Sequence, residues 1–227
     1  MRAVRALRAD FRSKKRVLLE DIRASVASTR AVGKTLTLLS NLADQTLRAL
    51  WEPAGLRGPC ALLAVGGYGR AKLFPHSDVD VVLLLDDDCQ LDQDSALKSR
   101  IETFIGSCWD TGLEIGSAVR TVTQCLAEAA KDVTVQTSVP ESRLVIGNRS
   151  LYDEMCARLG QEMDPRAFFV AKTLEMRQRH SKDEDTPYAL EPNCKESPGG
   201  LRDLQMLLWV SKAAGMGRNW DELARTG

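Results

Sequence analysis

Ala64-Val65-Gly66-Gly67-Tyr68-Gly69-Arg70, followed eight residues later by Asp78-Val79-Asp80-Val81-Val82-Leu83-Leu84-Leu85, is the stretch on which the fold turns. An apolar strand runs into a glycine turn, and a second apolar strand opens with two carboxylates one residue apart. Side chains alternate across a strand, so Asp78 and Asp80 share a face, roughly 6–7 Å apart along the chain. Two acids that close repel unless a cation lies between them. Five consecutive apolar residues, Val81 to Leu85, predict a strand buried on both faces, where charges at its mouth need a partner. Hard divalent ions with oxygen ligands suit the pair, Mg²⁺ above all where phosphates are present. The glycines free backbone N–H groups at a helix start, which suits phosphate oxygens. The conjunction points to metal-dependent chemistry on a nucleoside triphosphate.

Two commoner phosphate motifs are excluded. Gly66-Gly67-Tyr68-Gly69-Arg70-Ala71 lacks the spacing of a P-loop, and Ala71 or Lys72 stands where a dinucleotide-binding loop needs its last glycine. What remains, G-G-x-G-R with D-x-D eleven and thirteen residues after Gly67, resembles the signature of DNA polymerase β-like nucleotidyltransferases. The resemblance is closer still to the PII-protein uridylyltransferase/uridylyl-removing enzymes of bacterial nitrogen regulation. Ala64 to Asp80 is similar to their active-site segment. Trp109-Asp-Thr-Gly-Leu-Glu-Ile-Gly-Ser-Ala-Val-Arg-Thr121 and Leu190-Glu-Pro-Asn-Cys-Lys-Glu-Ser-Pro-Gly-Gly-Leu-Arg-Asp-Leu-Gln205 follow in matching order and spacing. The second segment departs from the family pattern, with Ser117-Ala118 in place of His-Ser.

The resemblance implies an α/β fold with a polymerase β-like nucleotidyltransferase core, a small mixed sheet flanked by N- and C-terminal helical regions. It implies transfer of UMP from UTP to a tyrosine hydroxyl of the PII signalling protein, with two Mg²⁺ ions held by three acids and pyrophosphate released. Asp78 and Asp80 would be two of those acids. Glu114, on a third strand, is the choice for the third, with Asp110 competing. Gly66 and Gly67 would bring N–H groups to the β and γ phosphates, and Ser77 a hydroxyl near the metals. Arg70 is placed against phosphate or against a structural acid, and Lys195 and Arg202 against the triphosphate. Tyr68 and His76 read as packing or turn residues, and Asp86–Asp88 as a solvated loop.

Composition agrees. The chain has 227 residues, 44% hydrophobic, enough for a core. No run approaches the ~18–20 apolar residues of a membrane span. Zero net charge gives no general attraction to nucleic acid, and none is expected as a partner. Six cysteines, never as C-x-x-C, with two histidines suggest neither a zinc site nor a disulfide framework, but reduced cytoplasmic thiols. Residues 1–34 hold ten Lys or Arg; Asp10, Glu20 and Asp21 among them favour a solvated helix face over a mitochondrial address.

Three regions are predicted. Residues 1–55 form a helical region, with Leu36, Leu39, Ala43, Leu47 and Leu50 on one stripe. Residues 56–125 form the α/β core: strands at Cys60–Val65, Val79–Leu85 and Leu113–Val122, and a helix over 93–109. Residues 126–227 read as helical, broken near 181–200. No adjacent His-Asp pair occurs, so uridylyl-removing hydrolysis is not expected of this chain, which reads as an N-terminal fragment or truncated homologue. Transfer of AMP or another nucleotide to a different acceptor, and a nucleotide-binding module without turnover, are the rival expectations.

Overall fold

The structure is a computed structural model and describes residues 2–24, 28–138, 140–182, 193–217 and 219–226. Leu190 to Pro192 of the third motif, and residues 183–187 of the expected break, lie outside the described residues. The chain divides into two compact units, residues 1–130 with 134–157, and residues 131–133 with 158–227.

In the first unit, helices α1 (Arg2–Ala24) and α2 (Thr29–Trp51) precede a four-stranded sheet. Ser28 starts α2, its hydroxyl accepting from the Ala31 N–H at 3.2 Å. The stripe read from the sequence is the buried face of α2: Leu36, Leu39, Ala43, Leu47 and Leu50 are all buried. Strands β1 (Cys60–Ala64) and β2 (Val79–Leu85) are antiparallel, joined through the one-turn helix α3 (Gly66–Gly69). Helix α4 (Ser95–Thr111) then crosses to β3 (Ile115–Thr121), which lies parallel to β2. Asp94 caps α4 at its start, and Gly112, at φ +92°, ends it in the left-handed conformation glycine adopts readily.

After α5 (Val122–Lys131) and α6 (Val133–Ser138) comes β4 (Arg143–Gly147), antiparallel to β1, giving the order β3-β2-β1-β4. The architecture is therefore α/β with a small mixed sheet, as expected. The fourth strand corrects the expectation of helix throughout residues 126–227. Its Leu144-Val145-Ile146 run pairs with β1 across a register shift at Leu62/Leu63. At its end Gly147, at φ +103°, lies so close that a Cβ there would stand 2.5 Å from the Cys60 carbonyl oxygen.

One face of the sheet presents Leu62, Ala64, Val79, Val81, Leu83, Leu85 and Ile115 to Phe11 of α1, Leu39, Leu47 and Trp51 of α2, and Phe104 of α4. Trp51 meets Phe104 edge to face at 5.5 Å, worth ~1 kcal/mol beyond the area buried. The N-terminal helices are thus part of the sheet's own core.

The second unit contains α8 (Pro165–Lys182), α9 (Leu201–Ala213) and α10 (Trp220–Thr226); α7 (Arg149–Glu162) precedes them. Among its described residues, Phe168, Met206 and Trp209 form a buried cluster.

Candidate active site

The register brings the chemistry to one end of the sheet. Ala64, the last residue of β1, pairs with Val81, while Val79 and Asp80 at the start of β2 pair with Ile115 and Gly116 at the start of β3. Asp78 immediately precedes β2 and Asp80 is its second residue; both are exposed, while Val79 and Val81 between and after them are buried. This alternation puts the two carboxylates on one face. Glu114, also exposed, immediately precedes β3, and its carbonyl oxygen accepts from the Val79 N–H at 2.8 Å.

The Asp80 side chain lies between two glycines. A Cβ on Gly66 would stand 3.5 Å from its Oδ2, and one on Gly116 would stand 2.6 Å from its Oδ1. The glycine turn follows directly from β1, whose extension is held by the Val65 N–H donating to the Asp80 carbonyl at 3.0 Å. Gly66 has φ +58°, and a Cβ on Gly69 would stand 2.4 Å from the Glu141 carbonyl oxygen, so both positions require glycine. As a single turn, α3 leaves its first N–H groups, those of Gly66 and Gly67, without partners inside the helix.

Beneath the turn sits a buried polar network that the sequence did not reveal. The Tyr68 hydroxyl donates to Asp44 Oδ1, and Arg143 clamps the same carboxylate with bonds of 2.6 and 2.9 Å. Burial, then the Asp44 charge, pushes the Tyr68 phenol far above its ordinary range, while the hydrogen bond to Asp44 holds Arg143 more firmly protonated. Tyr68 is thus a packing and anchoring residue, as read. Arg70 pairs with buried Glu141, the structural-acid alternative of the two considered for it. Beyond α3, the Leu73 N–H donates to Ser40 Oγ of α2 at 3.0 Å, and Ser77, exposed, closes a turn by donating its N–H to the Phe74 carbonyl at 3.2 Å.

Among the described residues no group of three or more His, Cys, Asp or Glu side chains stands close enough to hold a metal ion. The donor set therefore does not fit an all-protein cage. It does fit Mg²⁺, which keeps several waters and commonly takes one or two carboxylates together with substrate phosphates. Asp78 and Asp80 offer hard oxygen donors at an open strand end, beside a turn whose glycines leave the Asp80 carboxylate room.

Lys195 and Arg202 belong to the second unit. Lys195 is exposed, its Nζ 3.8 Å from Glu196; Arg202 Nε lies 3.4 Å from the same acid, and the guanidinium is 5.9 Å from the Trp209 ring centre. Asp203 organises the loop they flank: it accepts from the Gly199 N–H at 2.7 Å and binds Arg179 and His180 of α8. Burial opposes its ionisation, but these donors outweigh it and hold the carboxyl below its ordinary value.

Sequence reasoning missed Asp44, Glu141 and Arg143 as supports of the turn. The available signal was Asp44 itself, a charge next to Ala43 on the apolar stripe of α2. Ser117, where the second motif departs from the family pattern, is exposed on β3 opposite Val81.

Comparison with known proteins extends the motif resemblance along the chain. A family model described as GlnD PII-uridylyltransferase matches residues 167–227. Over 222 residues the chain is 54% identical to a bifunctional uridylyltransferase/uridylyl-removing enzyme of Burkholderia orbicola (strain MC0-3), covering 97% of this chain and 25% of that protein. The enzyme of the same description from Cupriavidus pinatubonensis (strain JMP 134 / LMG 1197) is 56% identical over 196 residues, 86% of this chain and 22% of that protein. That from Burkholderia vietnamiensis (strain G4 / LMG 22486) is 53% identical over 221 residues. The chain spans about a quarter of the length of the curated relatives it matches.

Proposed function

We propose that this chain, similar along nearly its whole length to part of the bifunctional uridylyltransferase/uridylyl-removing enzymes, carries the nucleotide transfer of such an enzyme on a polymerase β-like core. The reaction moves UMP from UTP to a tyrosine hydroxyl of the PII protein and releases pyrophosphate. One observation carries the reading: two exposed carboxylates at the mouth of a buried strand, with the Asp80 side chain flanked by Gly66 of the glycine turn and Gly116 of the next strand.

Asp78 and Asp80 would hold the Mg²⁺, with Glu114, which does not complete a three-acid group in this structure, as the third acid of a two-ion site; the ions would neutralise triphosphate charge and lower the pKa of the acceptor hydroxyl. The chain's own residues do the positioning. The N–H groups of Gly66 and Gly67 donate to the β and γ phosphate oxygens, and the Ser77 hydroxyl adds a further donor. Arg70, committed to Glu141, serves by holding the turn in place. The tyrosine hydroxyl gives up its proton to water, its oxygen attacks the α-phosphorus in line, a bond forms from it to phosphorus, the bond to the bridging oxygen breaks, and pyrophosphate leaves with the electron pair.

The test is intact mass of purified PII after incubation with the chain, Mg²⁺, and UTP or ATP. A UMP-sized gain from UTP, absent with Asp80→Ala whose fold is retained, is the expected result. Near-normal transfer by Asp80→Ala overturns the site, and an AMP-sized gain in place of a UMP-sized one overturns the base.

A further inference from the structure

Gly116 sits inside a β-strand, where glycine weakens the element through lost backbone entropy and the missing side chain. Its backbone does not explain it, because it is not among the glycines with positive φ. The space around it does. A Cβ on Gly116 would stand 2.6 Å from Asp80 Oδ1 and 3.8 Å from Asp80 Cγ, and among the described residues, its own chain neighbours aside, no other atom comes within 4 Å. In the parallel register Gly116 is the partner of Asp80, so the carboxylate of one strand lies across the bare Cα of the next. On the other side Gly66 stands next to Oδ2, where a Cβ would be in ordinary contact at 3.5 Å.

We infer that Gly116 is a positioning residue for the transfer reaction: its missing side chain lets the Asp80 carboxylate lie across β3 in the orientation from which it binds the metal–triphosphate. The inference rests on the reading that Asp80 serves that reaction. The crowded atom is the end of a side chain and not backbone, so an added methyl group leaves the strand where it is and turns the carboxylate. The consequence therefore falls first on the carboxylate and on the site it serves. Gly106, on α4, is the matched position: beyond its own helix backbone and chain neighbours, a Cβ there meets no atom of the described residues within 4 Å.

The experiment compares Gly116→Ala, Gly106→Ala, Asp80→Ala and the double variant Gly116→Ala/Asp80→Ala in the full chain. Three quantities are read: the urea midpoint, Mn²⁺ binding in the presence of UTP by electron paramagnetic resonance, and steady-state kinetics on PII. Gly116→Ala is expected to keep its midpoint, to weaken Mn²⁺ binding tenfold or more, and to lose kcat a hundredfold with KM for PII unchanged. Gly106→Ala should match the parent in both site measurements. Unaltered Mn²⁺ binding and kcat in Gly116→Ala, with Asp80→Ala inactive, overturn the positioning role and leave the functional reading standing. An active Asp80→Ala instead removes the reading itself. Should Gly116→Ala lower the midpoint, the double variant decides: recovery in the Asp80→Ala background supports the contact with the carboxylate, and an undiminished drop refutes it.

Discussion

Removing the Asp44 carboxylate tests whether the glycine turn is anchored from below. Asp44 is 6% exposed and accepts three charge-assisted hydrogen bonds, one from Tyr68 and two from Arg143, which also lies 5.4 Å from the Tyr68 ring centre. In Asp44→Ala the Tyr68 hydroxyl, in a side chain 1% exposed, loses its acceptor; a buried group left unsatisfied costs about 1–3 kcal/mol. Arg143 loses its counter-charge, and breaking a buried pair costs about 3–5 kcal/mol. Because the Arg143 side chain is 30% exposed and water reaches it, the low end applies. These contributions overlap, so the expected loss is about 4 kcal/mol, survivable for a domain of ~5–15 kcal/mol total stability. Tyr68→Phe removes one bond to a charged acceptor and leaves the clamp, for about 2 kcal/mol. The assay is urea unfolding followed by the fluorescence of Trp51 and Trp109 with Trp209 and Trp220 replaced by Phe, so that the signal reports the first unit. A loss under 1 kcal/mol in Asp44→Ala would mean that the turn is held by something other than this network. A Tyr68→Phe loss equal to that of Asp44→Ala would mean that Arg143 contributes nothing.

The glycines of the turn separate by position. Gly69→Ala drives a methyl group into the Glu141 and Ala64 carbonyl oxygens at 2.4 and 2.9 Å and should fail to fold or unfold at far lower urea, whereas Gly67→Ala, with its nearest contacts at 3.6 and 3.7 Å, keeps its midpoint; equal stability of the two would refute the close approach. Burial lifts the thiols of Cys60 and Cys125 to about 11 and of Cys108 to about 12, while Cys194 is exposed. At pH 8 a thiol of pKa 11 is about one part in a thousand thiolate, so a disulfide reagent should label Cys194 at once and these three only on unfolding; rapid labelling of Cys108 in the native chain would contradict the packing. Asp203, held below its unfolded value, contributes stability that is complete above the ordinary Asp pKa of about 3.9 and is lost as pH falls below it. Asp203→Asn should therefore flatten the decline in urea midpoint of the second unit between pH 5 and pH 3, and an unchanged slope would show that the carboxylate is not a linked group.

Those parts of the fold that depend on near neighbours in sequence were legible. Five apolar residues after D-x-D meant a buried strand, three- and four-residue spacing meant the buried face of α2, and Gly66 meant a turn no side chain allows. Contacts between distant segments were not. Arg143 meets Asp44 across 99 positions, and no periodicity in either segment announces the pair. Strand β4 is five residues in a helix-rich region, where Leu144-Val145-Ile146 bounded by Gly147 is too short for its period to be told from that of a helix turn. The helical character of residues 10–51 was plain, but their membership of the sheet's core follows from Leu39 and Leu47 facing Leu62 and Val81. Local pattern specifies that α2 has a buried face and leaves open what that face is buried against.

The candidate site divides along the same line. Asp78 and Asp80 declare themselves by charge at the mouth of an apolar strand, but the glycines around them look alike in sequence and are kept for different reasons. Gly66 is required by its backbone, Gly69 by a carbonyl that approaches from β4's side, and Gly116 by a carboxylate on the neighbouring strand. Gly67 has neither a positive φ nor a contact closer than 3.6 Å. In folding terms alanine would serve there, and it would remove some of the entropy lost on ordering the turn. On the proposed reading, a glycine that the folded chain does not need, at the first turn of a helix beside two exposed acids, serves an approach the chain itself does not make. Phosphate oxygens closing on the Gly67 N–H are such an approach, and the proposed UTP site is where they would come from.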